Sequence, residues 1–429
     1  MFMSEPKPVT GLLLTGGGAR AAYQVGVLKA IAQLRRECGV TTGNPFPVIA
    51  GTSAGAINAA ALACHADDFD GGVRSLVQVW ENFSADQVYR ADAFGVLRTG
   101  ARWLTMLSLG WAIARWRKAN PKSLLDNAPL AKLLEGMLPA GRLSEMLQQG
   151  HLKALSVSAS SYSSGLHVTF YEALADIQPW RRTQRTSVKG CITPAHLLAS
   201  AAIPLVFPAV PLMLGEALEY FGDGSMRQVS PISPLIHLGA EKILVVGAGR
   251  MLEPPGRRAT PPDSPNLAQI AGHALSTIFL DALAVDVERL ERINQTVALL
   301  SPEARAAAKL RDIEVLVIAP SQRLDDIAAS HLGSLPTPVR ALLRGVGVSG
   351  RGAEARGAVL ASYLLFEAPY TRELIALGVA DTLARRAEVI GFLAGRSASQ
   401  APLGQQGADP GDHLPSGNSI LTSSTSRLS

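Results

Sequence analysis

A strand, a glycine-rich turn and a helix follow one another twice within the first 63 residues. The first unit extends from Leu12 to Leu34 and has Gly16-Gly17-Gly18 at its turn. The second extends from Phe46 to Ala63 and has the turn Gly51-Thr52-Ser53-Ala54-Gly55. In both units an apolar run precedes the glycines, and apolar or small residues at helical spacing follow them. Two such units predict an α/β fold with a mostly parallel central sheet covered by helices.

Strand-like runs continue through most of the chain, so we predict one α/β domain rather than two. They lie at Leu155–Ala159, Leu166–Tyr171, Leu218–Phe221, Ile243–Val246 and Val315–Ile318. Residues 8–250 should form the main α/β domain, and residues 251–395 a helical extension with one further strand, packed on the same domain. Pro369 should separate two helices in that extension. The segment 396–429 is rich in Ser, Gly, Pro and Gln and is predicted to be a disordered tail.

Composition excludes several classes of protein. Hydrophobic residues make up 47 % of the chain and charged residues 17 %, without the periodicity of collagen or of a coiled coil. A net charge of +5 is too small to suggest a nucleic-acid partner. The three cysteines, Cys38, Cys64 and Cys191, are too scattered for a disulfide framework or a zinc site, so we expect reduced thiols and no structural metal.

Neither a signal peptide nor a membrane-spanning helix is expected. The residues from Met1 to Pro8 lack an apolar core. The longest uncharged stretch, 197–215, contains three prolines that would interrupt a helix. The predicted location is the cytoplasm or the periphery of the inner membrane face.

The second turn has the pattern G-x-S-x-G, which presents a serine on a sharp strand-to-helix connection. Ser53 is therefore a candidate nucleophile, although the same five residues can serve as a purely structural turn. A serine hydroxyl needs a base. None of the eight histidines has an obvious catalytic neighbourhood, whereas Asp223, between Gly222 and Gly224, follows a strand-like run at the edge where parallel sheets bind ligands.

Three consecutive glycine amides at a helix N-terminus suit either a phosphate group or the oxyanion of an acyl-transfer intermediate. The spacing Gly16-x-Gly18-x-x-Ala21 also matches a dinucleotide-binding turn. That pattern requires an acidic residue at the end of the second strand, where Gly51 and Ser53 stand instead. A non-catalytic nucleotide- or lipid-binding protein on the same fold therefore remains the alternative to an enzyme.

Four motifs in order resemble those of patatin-like phospholipases. They are Gly16-Gly17-Gly18-Ala19-Arg20, Gly51-Thr52-Ser53-Ala54-Gly55, the run Ala199 to Pro208, and Asp223-Gly224. The resemblance implies a serine lipid acyl hydrolase of phospholipase A or lysophospholipase type, which cleaves carboxylic esters of phospholipids or lysophospholipids without a cofactor. It implies a Ser53–Asp223 catalytic dyad, an oxyanion hole of Gly16, Gly17 and Gly18, and Arg20 as a support for the oxyanion or a phosphate. Ser200, within the third motif, is expected to be a capping residue.

One basic segment differs from the rest of the chain. Between Arg90 and Lys122 there are seven basic residues and one acidic residue. Trp103 and Trp111 would share one face of a helix, bordered by charged residues. The candidate membrane-facing residues are Trp103, Trp111, Arg115, Trp116, Arg117 and Lys118. The segment is predicted either to contact an anionic membrane or to be a core helix with a solvated basic end.

Overall fold

The computed structural model describes residues 8–90, 123–251, 264–308, 310–350, 352 and 355–394. Within these residues ten strands form one sheet. The strands are β1 Thr10–Leu14, β2 Val48–Thr52, β3 Ala154–Ser161, β4 His167–Ala173, β5 Arg181–Arg182, β6 Arg185–Lys189, β7 Val210–Leu214, β8 Ala217–Asp223, β9 Lys242–Val246 and β10 Glu314–Ile318.

Five parallel strands form the centre of the sheet, in the order β10-β9-β1-β2-β3. Beyond β3 the sheet continues through β4, which is antiparallel to β3, then β6 and β5. A hairpin of β7 and β8 joins the end of β3 through Ala159, which pairs with Asp223. The predicted α/β fold with a mostly parallel sheet is confirmed.

Helices cover both faces of the sheet. They are α1 Ala22–Glu37, α2 Ala54–Ala63, α3 Phe69–Glu81, α4 Ala128–Met137, α5 Arg142–Gln148, α6 Pro194–Ser200, α7 Ser233–His237, α8 Leu267–Ser276, α9 Ala282–Leu299, α10 Pro302–Ala308, α11 Leu324–His331, α12 Thr337–Gly345, α13 Ala358–Leu364, α14 Ala368–Ala384 and α15 Arg386–Ala394. A π-helical turn, Thr277–Asp281, joins α8 to α9. Pro369 lies in the first turn of α14, where its missing N–H costs no helical hydrogen bond.

The residues after 250 complete the same sheet and its helical cover. Strand β10 adds to the edge of β9 with Leu316 beside Leu244. Helix α14 packs on α1, where the Tyr23 hydroxyl donates to Asp381 Oδ2 at 3.0 Å. The basic segment from 91 to 122 and the tail from 396 lie outside the described residues, so the predictions for both stand as made.

Among the described residues, one helical run is long and apolar enough to span a membrane by length and composition alone. It extends from Leu267 to Leu299, through α8, the π-turn and α9. In α9, Leu283 and Leu290 are buried in the same cluster as Ile243 and Val245 of the sheet. That seven-residue spacing puts both leucines on one helix face, which is the pattern of a helix lying on a sheet.

Candidate active site

Ser53 occupies the connection between β2 and α2. Its backbone angles are φ 55° and ψ −133°, and its side chain is buried. A non-glycine residue with this conformation is strained, and such strain persists only where the surroundings enforce it. The geometry is that of a sharp strand-to-helix turn, which directs the serine side chain away from both the strand and the helix.

Close contacts explain the two glycines on either side of this serine. A Cβ on Gly51 would lie 2.5 Å from the Cα of Ala56. A Cβ on Gly55 would lie 2.3 Å from the carbonyl oxygen of Leu14, so that α2 starts directly against β1. Neither position accommodates a side chain without backbone movement. The G-x-S-x-G pattern is thus a packing requirement of this turn as well as a chemical signature.

Asp223 is the last residue of β8 and reaches Ser53 along one edge of β3. Strand β2 pairs with β3 as far as Thr52 opposite Ser158, and β8 pairs from Asp223 opposite Ala159. Because β4 occupies the other edge of β3 over these residues, β2 and β8 must share one edge and meet end to end. The sheet therefore brings Ser53 and Asp223 together, although they are 170 positions apart.

The Asp223 carboxylate is fully buried, and burial raises its pKa to about 6. Hydrogen bonding from the Ser53 side chain, and from the backbone and side chain of Ser225, acts in the opposite direction. Oδ1 accepts the Ser225 N–H at 2.9 Å, whereas Oδ2 has no hydrogen bond of normal geometry to any described residue. The Ser53 side chain thus lies close to this carboxylate without a hydrogen bond of normal geometry, as free enzymes commonly show. A carboxylate with this pKa can accept a proton near neutral pH.

The first glycine turn faces the same region. Gly18 has φ +55°, and a Cβ there would lie 2.3 Å from the carbonyl oxygen of Tyr363. Within the described residues, no hydrogen bond is donated by the amides of Gly16, Gly17 or Gly18. Gly18 also lines the cavity that contains Ser53. These amides remain available to an outside acceptor.

That cavity is narrow, with a volume of about 30 Å³, and its lining is almost entirely apolar. It is lined by Gly18, Ser53, Ala54, Ile57, Val79, Trp80, Phe83, Val88, Leu130, Leu133, Met137, Ala201, Ile203, Phe207 and Phe366. Trp80 and Phe83 stack with ring centroids 4.9 Å apart. Apolar walls beside a buried serine and carboxylate suit a hydrocarbon chain that carries a polar reactive group at one end.

Arg20 lies on a different side of the glycine turn. Its Nε donates to the Ser362 hydroxyl at 2.8 Å, and its guanidinium carbon lies 4.1 Å from the centre of the Tyr363 ring. The side chain lines a second cavity, which Ser53 does not line. In this arrangement Arg20 connects the glycine turn to α13. The predicted support of an oxyanion or phosphate by Arg20 stays a prediction.

Two sets of buried polar residues near the site were not assigned to it from the sequence. The first is Ser200, which was expected to cap a helix but instead accepts a hydrogen bond from the Ser53 N–H at 2.9 Å. The second is the pair Asn58 and Gln24. Trp80 Nε1 donates to Asn58 Oδ1 at 2.9 Å, and Asn58 Nδ2 donates to Gln24 Oε1 at 3.1 Å. Amides on otherwise apolar faces of two predicted helices are a signal that could have identified this pair.

No histidine in the described part of the chain hydrogen-bonds Ser53 or Asp223. His167 interacts with the backbone of Gly224, the residue after Asp223. Burial lowers its pKa to about 4, so this side chain is neutral at physiological pH. The same described residues contain no group of three or more His, Cys, Asp or Glu side chains that could hold a metal ion. The candidate membrane-facing residues Trp103 to Lys118 lie outside them.

Solved structures that match this chain include VipD from Legionella pneumophila, human GIVD cytosolic phospholipase A2 and the type III effector ExoU. VipD is 14 % identical over 86 % of this chain and 67 % of its own, with a TM-score of 0.29. The human protein is 12 % identical over 91 % of this chain and 60 % of its own, with a TM-score of 0.42. ExoU is 16 % identical over 93 % of this chain and 91 % of its own, with a TM-score of 0.24.

Sequence comparison gives a direct assignment. No curated protein matches the chain. The profile of the family described as patatin-like phospholipase matches residues 12–236, which is more than half of the chain and includes both glycine turns, Ser53 and Asp223. The chain therefore belongs to the patatin-like phospholipase family and is a lipid hydrolase by that membership.

Proposed function

We propose that this protein is a serine acyl hydrolase that cleaves carboxylic esters of phospholipids or lysophospholipids. The observation that carries the proposal is the meeting of buried Ser53 with buried Asp223 beside an apolar cavity. Both residues lie at strand ends, where open α/β sheets bind their ligands. Residues 8–250 would form the catalytic domain, and residues 251–395 its helical extension.

In the proposed reaction Ser53 Oγ attacks the ester carbonyl carbon while its proton moves to Asp223. The oxyanion of the tetrahedral intermediate accepts hydrogen bonds from the free amides of the Gly16–Gly18 turn. The intermediate collapses to an acyl-serine, and the departing alcohol takes the proton from Asp223. Water then attacks the acyl-serine and gives a proton to Asp223, and that proton returns to Ser53 Oγ as the fatty acid is released.

The cavity supports an acyl chain as the part of the substrate held by the protein. Its walls are aliphatic and aromatic, and Ser53 is part of its lining. Burial of each methylene group contributes about 0.8 kcal/mol, so an acyl chain that widens this narrow cavity gains free energy with every carbon it buries. A lipid ester places its carbonyl carbon at the end of such a chain, where the serine hydroxyl can reach it.

Membrane contact is proposed as well, and the β7–β8 hairpin offers a surface for it beside the site. Its outward face carries Pro211 paired with Tyr220 and Met213 paired with Leu218, all exposed. Tyr162, also exposed, covers this face at Gly222. Partial burial raises the pKa of Tyr162, and the negative charge of Asp223 raises it further. This face of the hairpin therefore lies near Asp223, the proposed base. Aliphatic side chains flanked by tyrosines suit the interfacial region of a bilayer.

Labelling with a fluorophosphonate, which reacts with activated serines, tests the reaction class. Wild type should be modified on Ser53, as read by peptide mass spectrometry, and Ser53→Ala and Asp223→Ala should not be. Ser75→Ala, on an exposed position of α3, is the matched control and should label as wild type does. Folded wild type that is neither labelled nor active on esters would refute the hydrolase proposal. Its stabilisation by a nucleotide would then favour a binding protein.

A further inference from the structure

The end of helix α6 is hydrogen-bonded to both members of the proposed dyad. The Ser53 N–H donates to the Ser200 hydroxyl at 2.9 Å, and that hydroxyl donates to the Ser158 carbonyl oxygen at 2.6 Å. Two residues later, the carbonyl oxygen of Ala202 accepts the Asp223 N–H at 2.9 Å. Ser200 and Asp223 have no exposed surface, and Ser53 and Ala202 are 1 % exposed. The segment Ser200–Ala202 therefore bridges the two strand ends at the point where they meet.

The bond to Ser53 matters because the backbone there is strained. With φ 55° and ψ −133°, Ser53 no longer pairs as part of β2, and its N–H requires another acceptor. Ser200 Oγ is that acceptor, and its own bond to Ser158 of β3 holds it in place. A strained backbone conformation persists only when contacts with neighbouring groups hold it in place.

We propose that Ser200 is a positioning residue, which holds the Ser53 turn at a fixed place relative to the Asp223 strand. This inference rests on the proposed hydrolysis, and Ser200 itself touches neither the substrate nor the Asp223 carboxylate. Its hydroxyl accepts one bond and donates another at the same time, which no apolar side chain of similar size can do. Loss of the hydroxyl would leave a buried N–H and a buried carbonyl without partners and release the turn.

Ser200→Ala tests this role, with Ser187→Ala as the matched control. Ser187 is also a buried serine that accepts from one backbone group, the Trp180 N–H at 2.8 Å, and donates to another, the Trp180 carbonyl oxygen at 3.3 Å. It lies away from the dyad, in β6. The two variants should lose similar amounts of thermal stability, because each loses the same kind of hydrogen-bonded group.

The kinetic readouts separate positioning from general stability. With a soluble short-chain ester, Ser200→Ala should lower kcat about 10- to 100-fold and slow fluorophosphonate labelling of Ser53 equally, with KM changed less than twofold. The pH midpoint of its activity should stay that of wild type, since the carboxylate keeps its surroundings. Ser187→Ala should retain kcat within twofold.

Any of four outcomes would overturn the assignment. One is a folded Ser200→Ala protein whose kcat and labelling rate match those of wild type. Another is an equal loss of kcat in Ser187→Ala, which would assign the effect to stability. If Ser200→Ala does not unfold cooperatively, Ser200→Cys replaces it, and full activity in that near-isosteric variant would exclude the role. The fourth is inactive, unlabelled wild type, which refutes the proposed function itself and so differs from the other three.

Discussion

Ser53 and Asp223 meet because β2 and β8 share one edge of β3. Strand β2 runs parallel to β3 and ends opposite Ser158, and β8 runs antiparallel and ends opposite Ala159. Ser158 and Ala159 are consecutive residues of β3. The ends of β2 and β8 therefore lie next to each other, and so do the side chains that follow them. Hydrogen-bonded strands hold this arrangement rigidly. Proton transfer between two side chains requires that their separation and orientation stay fixed.

The activity should depend on pH through Asp223. Burial raises the pKa of this carboxyl to about 6, and the base is active only when deprotonated. We expect kcat/KM for a soluble ester to fall tenfold per pH unit below about pH 6 and to level off above it. A rate profile between pH 4.5 and 8.5 measures this. A midpoint near 4, or a second group titrating with equal weight, would contradict the proposed base.

Removal of the Asp223 charge should stabilise the fold while it abolishes activity. Folding raises the pKa of the Asp223 carboxyl from 3.8 to about 6. The free-energy cost of burying its charge is therefore absent below about pH 4, where the carboxyl is protonated in both states, and complete above about pH 6. Asp223→Asn should therefore raise the free energy of unfolding by up to about 3 kcal/mol at pH 8 and change it little at pH 4. Denaturant titrations at the two pH values test the sign. If Asp223→Asn is instead less stable than wild type at pH 8, the surroundings of the buried carboxylate compensate its charge and the prediction is wrong.

A side chain at Gly55 should disrupt the nucleophile turn. Its Cβ would meet the Leu14 carbonyl oxygen at 2.3 Å, so Gly55→Ala must move α2 away from β1. We expect loss of more than about 3 kcal/mol of stability, together with loss of labelling at Ser53. Gly136→Ala in α4 is the control, since nothing lies within 4 Å of its Cβ position, and it should be neutral or stabilising by about 0.5 kcal/mol. A stable, labelled Gly55→Ala protein would be inconsistent with this packing.

Narrowing the apolar cavity should change the preferred chain length. Leu133 lines the cavity from α4, and Leu133→Trp would fill space that an acyl chain otherwise occupies. Burial of one methylene group contributes about 0.8 kcal/mol. If the tryptophan displaces two carbons of the chain, kcat/KM for a dodecanoyl ester should fall roughly tenfold relative to kcat/KM for a butanoyl ester. Leu133→Met, which conserves volume, serves as the control. Ratios of kcat/KM across a p-nitrophenyl ester series give the answer, and an unchanged ratio would place the acyl chain elsewhere.

The hairpin face should contribute to vesicle binding. Met213→Ser with Leu218→Ser removes one exposed cross-strand pair and leaves the inward residues in place. We expect at least fivefold weaker sedimentation with phosphatidylcholine vesicles, little affected by salt, and unchanged activity on a soluble ester. Leu267→Ser with Ile270→Ser, two exposed apolar residues on α8, is the control pair. Equal binding by both double variants would exclude the hairpin as the contact.

Much of the local chemistry could be predicted from the chain. Short-range spacing placed Ser53 on a strand-to-helix turn and the three glycines at a second one, because each pattern depends on neighbours within a few residues. Seven of the ten strands in the described residues were predicted from the same kind of pattern, as was the break before Pro369, whereas β5, β6 and β7 were not predicted. The Asp-Gly step at Asp223 stood out for the same reason. Its meeting with Ser53 was implied by the family resemblance, while its physical cause lies in the register of three strands.

Tertiary packing decided the rest. Arg20 follows the glycine turn in sequence, yet it turns toward Ser362 and Tyr363, more than 300 positions later, and lines another cavity. Ser200 is one buried serine among several, and only the packing of α6 on β3 brings its hydroxyl to the backbone of Ser53. Local patterns specify backbone shape through neighbouring residues. The direction of a long side chain and the partner of a buried hydroxyl depend on contacts between distant segments, which no local pattern encodes.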